Sequence, residues 1–321
     1  MDDVLIGIRA VHLAATTMLA GTIFFQLSVG EPALRGSHAA PSTVIAVRRQ
    51  QAQLAWTTLA VAILSGAAWL IRVAANIGRQ AVGGLLSADP AWTVLTETQF
   101  GHVSAARLSV ALLLAGCLPV SARKEGPNLS RWRWLILALA AYFLGALAWT
   151  GHSGATPGPA GDLQLASDVL HLLAAGAWVG GLLPLVMVFA IARRTADPSG
   201  ARLAAIAACR FSLLGIVSVG ALLASGIVNT WNLVGSVPGL LDTGYGRLLL
   251  LKMLLFTAMI CTAAVNRFRL LPRLAAVDTI RQLQRNSIIE AVLGLIVIAV
   301  VGALGTIPPA VHMETQMPHL H

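Results

Sequence analysis

Apolar residues run in eight long stretches along this chain, separated by short polar segments. A helix needs about 20 mostly apolar residues to cross a hydrocarbon core roughly 30 Å thick. On that length rule the runs predict eight spanning helices, at 4–29, 54–75, 103–121, 132–150, 165–192, 211–231, 248–265 and 288–307. The pattern holds over the whole length, so it predicts an all-α polytopic membrane protein. No polar stretch is long enough to fold as a separate soluble domain.

The polar segments alternate in charge. Arg35, Arg48 and Arg49 follow the first run; Arg123, Lys124, Arg131 and Arg133 the third; Arg193, Arg194, Arg202 and Arg210 the fifth; Arg267, Arg269, Arg273, Arg281 and Arg285 the seventh. The remaining loops hold Asp89, Glu97, Asp162 and Asp242 and few cations. By the positive-inside rule the arginine-rich loops are cytoplasmic and both termini periplasmic. The opening Met1-Asp2-Asp3 agrees, because a cleaved signal peptide wants a basic start.

The runs also repeat. His12 with Gly21 matches His171 with Gly180, and Ser65-Gly66 matches Ser225-Gly226. Phe100-Gly101 followed by Arg107 matches Tyr245-Gly246 followed by Lys252, and Gly145-Ala146-Leu147 matches Gly302-Ala303-Leu304. Four matches in order predict two parallel four-helix repeats, 1–150 and 151–307, with a periplasmic tail at 308–321. Such repeats are related by an axis along the membrane normal, and substrate sites tend to lie between them.

Composition agrees with this picture. The chain has 321 residues, 57% hydrophobic and 11% charged, with mean hydropathy +0.78; soluble domains carry roughly 25% charged residues. The net charge of +9 invites a nucleic-acid reading. That reading is excluded, because the cations sit in short loops where topology explains them. Cys117, Cys209 and Cys261 are isolated and read as small core residues without a CxxC pair. No Walker motif, nucleophile triad or HExxH is present, so no enzymatic chemistry is expected.

Ionisable residues inside apolar runs are costly and default to functional hypotheses. Asp168 and His171, three residues apart, share one helix face, and a carboxylate there can orient a metal-binding imidazole or bind metal itself. His12 is its partner by the repeat, either as a ligand or as an interhelical hydrogen bond. His152, in the irregular stretch Thr150-Gly151-His152-Ser153-Gly154, is placed to meet His171 as a ligand or to stay a solvated loop residue. The tail carries His312, Met313, Met317, His319 and His321. Imidazole and thioether suit copper, and thioether favours copper(I). Arg107 and Lys252 are expected to snorkel, to pair with Asp168 or Asp242, or to attract an anion. Glu290 is expected to pair with Arg285 or Arg267. Trp178 shares the face of His171 and either walls a site or packs. Trp69, Trp92, Trp149 and Trp231 read as interfacial anchors.

Three stretches together resemble the CopD family of bacterial copper-resistance and copper-import membrane proteins. They are Asp168-x-x-His171-x6-Trp178-x-Gly180-Gly181, Gly244-Tyr245-Gly246-Arg247-x4-Lys252, and Asn266-Arg267 with Pro272; Gly151-His152-Ser153-Gly154 is similar too. The resemblance implies an eight-span inner-membrane protein that handles copper, with His171, Asp168 and His152 as copper-site candidates and His12 added by the repeat. It also implies a separate periplasmic CopC-like copper-binding partner. The expected function is movement of copper from periplasm toward cytoplasm. The alternatives are a b-type haem cytochrome with His12 and His171 as axial ligands, or a periplasm-facing copper-binding platform that transports nothing.

Overall fold

The computed structural model describes residues 3–80, 90–123, 128–151, 158–195, 198–274, 277–309 and 311, and among them every regular element is helical. Eight stretches are long and apolar enough to cross a membrane: Asp3–Ser37, Pro41–Asn76, Gln99–Pro119, Arg131–Thr150, Gly161–Arg194, Pro198–Val234, Gly244–Arg273 and Asp278–Leu304. They coincide with the eight apolar runs, and several extend past them. Helical hydrogen bonding continues into polar sequence until something stops it. The long helices α3 (Pro41–Gln80) and α9 (Pro198–Val234) both start on a proline, which needs no amide partner in a first turn.

The first span is α1 (Asp3–Phe25), a π-helical segment Gln26–Gly30, and the short α2 (Glu31–Ser37), closed by His38 in the left-handed conformation. After α3 a short helix α4 (Pro90–Glu97) leads into α5 (Gln99–Arg123), followed by α6 (Asn128–Gly145) and a 3-10 turn Ala146–Thr150. The fifth span is α7 (Pro159–Ala175), a second π-helical segment Gly176–Gly180, and α8 (Gly181–Arg194). Beyond α9 a short α10 (Val237–Asp242) leads into α11 (Gly244–Val265), then a third π-helical segment Asn266–Leu270, and finally α12 (Val277–Leu304).

Helix α1 is the centre of the bundle. It packs against α3, α6, α8, α12 and the Gly176–Gly180 segment. Glycine makes the last contact possible. A Cβ on Gly21 would fall on the Gly176 carbonyl and the backbone of Gly180, and a Cβ on Gly180 would fall on the Thr17 carbonyl. Close backbone approach through small residues is how helices associate where lipid removes the hydrophobic drive.

Two larger apolar clusters fill the interior. One gathers Leu19, Leu59, Leu114 and Leu144 around α1, α3, α5 and α6. The other gathers Trp178, Leu182, Phe189, Leu203 and Met259 and takes in Phe25 and Val29 from the end of the first span. Outward faces are also apolar: Leu64 and Ile227 are each 70% exposed, as suits side chains solvated by lipid.

Two expectations change here. Cys209 and Cys261 are exposed and Cys117 is half-buried, so these are not core residues; a small apolar side chain is equally at home against lipid. Trp69 is buried rather than interfacial, because the polar group it covers lies inside the bundle.

Candidate functional site

Trp69 covers His12. The two rings meet edge to face with centroids 5.6 Å apart, and Arg9 stacks on the other ring system at 4.8 Å. His12 itself is buried and has a partner on each ring nitrogen. Nδ1 lies 3.0 Å from Ser65 Oγ, and Nε2 lies 2.8 Å from Arg107 Nη1. Ser65 Oγ donates its own hydrogen to the Val61 carbonyl at 2.6 Å, so it accepts from His12. Arginine has only donors. Together the partners assign the neutral tautomer with the proton on Nδ1 and the Nε2 lone pair capped by Arg107. Arg107 also donates from Nε to the Phe143 carbonyl at 3.0 Å and from Nη2 to Thr16 Oγ1 at 3.3 Å. It therefore neither snorkels nor pairs with Asp168 or Asp242; four groups on α1 and α6 hold it inside, counting the Phe143 ring 4.7 Å from its guanidinium.

His171 has the same first partner and a different second one. Its Nδ1 lies 2.9 Å from Ser225 Oγ, and Ser225 donates to the Ala221 carbonyl at 2.6 Å. The same reasoning puts the proton on Nδ1. Among the described residues no hydrogen bond reaches Nε2, so its lone pair is open. Lys252 stands in electrostatic contact with His171 and with Asp168. Asp168 accepts a hydrogen bond from Asn229 Nδ2 and interacts with Tyr245. One turn of α7 thus presents a carboxylate and, among the described residues, an imidazole nitrogen without a hydrogen-bond partner, beside the half-buried Lys252.

Both clusters rest on the same local build. In each, a short helix tucks under the start of the next. Thr98 accepts from the Gly101 amide at 3.0 Å, and Thr243 from the Gly246 amide at 2.9 Å. Each glycine lies where a Cβ would strike the carbonyl of the short helix, Val94 in one case and Leu240 in the other. Six residues on from each glycine comes Arg107 or Lys252.

Asn229 was not anticipated, although its signal is in the sequence. It sits four residues after Ser225, and that spacing places both on one helix face, opposite the Asp168–His171 pair on α7. Glu290 departs from expectation. It bonds neither Arg285 nor Arg267; it accepts from Asn266 Nδ2 at 2.7 Å. Trp178 is 1% exposed; it meets Phe256 of α11 edge to face and lines the same cavity as Glu290.

His152 and the tail residues His312, Met313, Met317, His319 and His321 lie outside the described residues. Among the described residues no three His, Cys, Asp or Glu side chains converge as a metal cage.

Family comparison bears on what these clusters serve. The model of the copper resistance protein D-like N-terminal domain matches residues 1–162, half of the chain, and that of copper resistance protein D matches residues 205–304. The chain belongs to the copper resistance protein D family. Over 324 residues it is 26% identical to copper resistance protein D of Pseudomonas syringae pv. tomato, covering 98% of this chain and 99% of that one. It is 29% identical over 226 residues to inner membrane protein YebZ of Escherichia coli, covering 68% of this chain and 72% of YebZ. It is 28% identical over 265 residues to copper transport protein CutJ of Bacillus subtilis, covering 80% of this chain but 45% of CutJ. No solved structure matches the chain.

Proposed function

We propose that this protein moves copper across the bacterial inner membrane, from periplasm toward cytoplasm, and that Asp168 and His171 receive the ion near the outer leaflet. One observation carries the reading: His171 Nε2 is open beside a carboxylate, in a membrane span of a copper resistance protein D family member. His152 and the His/Met tail, with His312, Met313, Met317, His319 and His321, deliver copper to it, and a separate periplasmic CopC-like protein is the donor.

The protein is read here as two parallel four-helix repeats with both termini periplasmic. The alternation of arginine-rich loops supports the orientation. The paired His–Ser contacts, the paired threonine caps and the contact of Gly21 with Gly180 support the repeat, because residues next to a twofold axis meet their own equivalents. On this reading the first repeat has fixed its site shut with Arg107, and the second keeps it open under Lys252. His12 then orders the bundle and takes no copper. That also weighs against haem, for which His12 would need a free Nε2. Catalysis forms no part of the proposal.

The test is copper content of purified protein and uptake of labelled copper into proteoliposomes, for wild type, His171→Ala and a chain truncated after Pro309. Loss of bound copper and of uptake in His171→Ala is the expected result. Stoichiometric copper without uptake in wild type would leave a binding platform instead of a transporter, and unchanged copper in His171→Ala would remove the site.

A further inference from the structure

Glu290 is a buried acidic group of the second half. It is 3% exposed and lies within the Asp278–Leu304 span. Its carboxylate accepts from Asn266 Nδ2 at 2.7 Å. Asn286 Nδ2 donates in turn to Asn266 Oδ1 at 2.8 Å and fixes that amide. Asn266 opens the π-helical segment Asn266–Leu270, and Trp178 of the segment Gly176–Gly180 lines the same cavity as Glu290. Such bulges recur at functional sites.

Every partner is a neutral donor. Arg267 donates to Ser212 Oγ at 2.7 Å, Arg193 of α8 to Gln284 Oε1 at 2.7 Å, and Arg210 of α9 to the Ser28 carbonyl at 2.9 Å. From α1, Arg9 stacks on Trp69 and His12 faces Arg107. On α11, Lys252 lies fourteen residues before Asn266, about 20 Å along a helix. On α12 itself Asp278, Arg281 and Arg285 are exposed, as are Arg269 and Arg273 beyond α11. None of these is a salt-bridge partner of Glu290 among the described residues. A carboxylate taken from water without a cation is expensive to keep charged.

Glu290 also lines a cavity of about 390 Å³, whose wall continues through Asn266, Arg267, Ser212 and Phe268 to the arginine-rich end of α11. The neighbouring donor is an amide nitrogen, and among the described lining residues its own two oxygens are the only anionic atoms, an arrangement that fits neither the soft donors copper(I) prefers nor the oxygen cage of a hard metal.

We propose that Glu290 is an exchangeable proton site that opens to the arginine-rich side of the membrane and couples proton movement to copper movement. Trp178 makes the link: it lines the same cavity as Glu290 and lies on the same span as His171, seven residues on, about 10 Å along the helix. The coupling rests on the copper-transport reading; the proton site does not.

The test is modification of the full-length protein in liposomes by dicyclohexylcarbodiimide, read by peptide mass spectrometry across a pH series. The reagent adds to a protonated carboxyl: the carboxyl oxygen bonds the carbodiimide carbon, the acid proton passes to nitrogen, and the adduct rearranges to an N-acylurea. Labelling at Glu290 that falls at least tenfold as pH rises, and is missing in Glu290→Gln, is expected. No labelling of Glu290 at any pH, or labelling indifferent to pH, overturns the site. A second arm compares labelled-copper uptake by wild type and Glu290→Gln under an imposed pH gradient, with Glu290→Asp as the conservative control and elution as a single species as the folding check. Uptake in wild type that follows the gradient, and uptake in Glu290→Gln that ignores it, supports the coupling. Identical gradient dependence in both overturns the coupling and leaves copper transport standing. No uptake in wild type overturns the transport reading, while the labelling result still decides the proton site.

Discussion

Arg107 Nη1 lies 2.8 Å from His12 Nε2, and a guanidinium in that position can only donate. It occupies the lone pair that a metal would need. His171, with the same serine contact on Nδ1, has no such cap among the described residues. The two histidines are alike in sequence setting and unlike in their partners.

His12→Ala is therefore expected to leave copper content unchanged and to lower thermal stability. The substitution deprives Arg107 of one acceptor inside the bundle, and an unsatisfied buried group costs about 1–3 kcal/mol, more when charged. Metal analysis and thermal unfolding in detergent read the two effects separately. A variant that loses copper in step with His171→Ala would show that Arg107 swings away and His12 binds.

Lys252→Met is expected to tighten copper binding. The ammonium interacts with Asp168 and His171 and competes with an arriving cation for the same carboxylate. Removing one like charge from a partly buried site is expected to tighten binding about tenfold, near 1.4 kcal/mol. Competition against a chromogenic copper chelator measures it. Weaker binding in the variant would mean that Lys252 orients Asp168 instead of opposing the metal.

The fold was legible because apolar runs of spanning length have few other solutions in a bilayer. The matched positions were legible too: His12, Ser65 and Arg107 meet, as do His171 and Ser225 beside Lys252. What sequence could not show was which lone pairs remain free. That depends on Arg107 being long enough to reach Nε2 and on each serine giving its hydrogen to its own helix. Glu290 was misassigned for a related reason. Sequence proximity favoured Arg285, but the carboxyl meets Asn266 in a π-helical segment of the preceding span, and no local spacing announces that meeting.

Gly21→Ala should be far more damaging than Gly7→Ala. A Cβ at Gly21 meets the backbone of Gly176 and Gly180, where no flexible side chain can yield, while a Cβ at Gly7 meets nothing within 4 Å. Overpacking of this kind costs roughly 1–3 kcal/mol or more, against about 0.5 kcal/mol for an open surface position. Yield and melting temperature in detergent compare them. Equal behaviour of the two variants would mean that α1 and the Gly176–Gly180 segment separate easily, and the crossing would lose its place as the centre of the bundle.

Glu31 offers a test of how charge is held at the arginine-rich end. It is 3% exposed, and two arginines from different helices share it: Arg48 of α3 at 2.8 Å on each oxygen and Arg133 of α6 at 3.2 Å. The Arg48 side chain is 53% exposed, so solvent screens its contribution and Arg48→Ala alone should cost about 0.5–1 kcal/mol. Arg133→Ala alone should cost a similar amount, because either arginine suffices to compensate the carboxylate. Removing both leaves a buried charge with no cation, which costs about 3–5 kcal/mol. The double variant should therefore lose clearly more than the sum of the singles, a coupling that a double-mutant cycle on melting in detergent isolates. Additive losses would mean that water reaches Glu31 and that the three helices are joined there by packing alone.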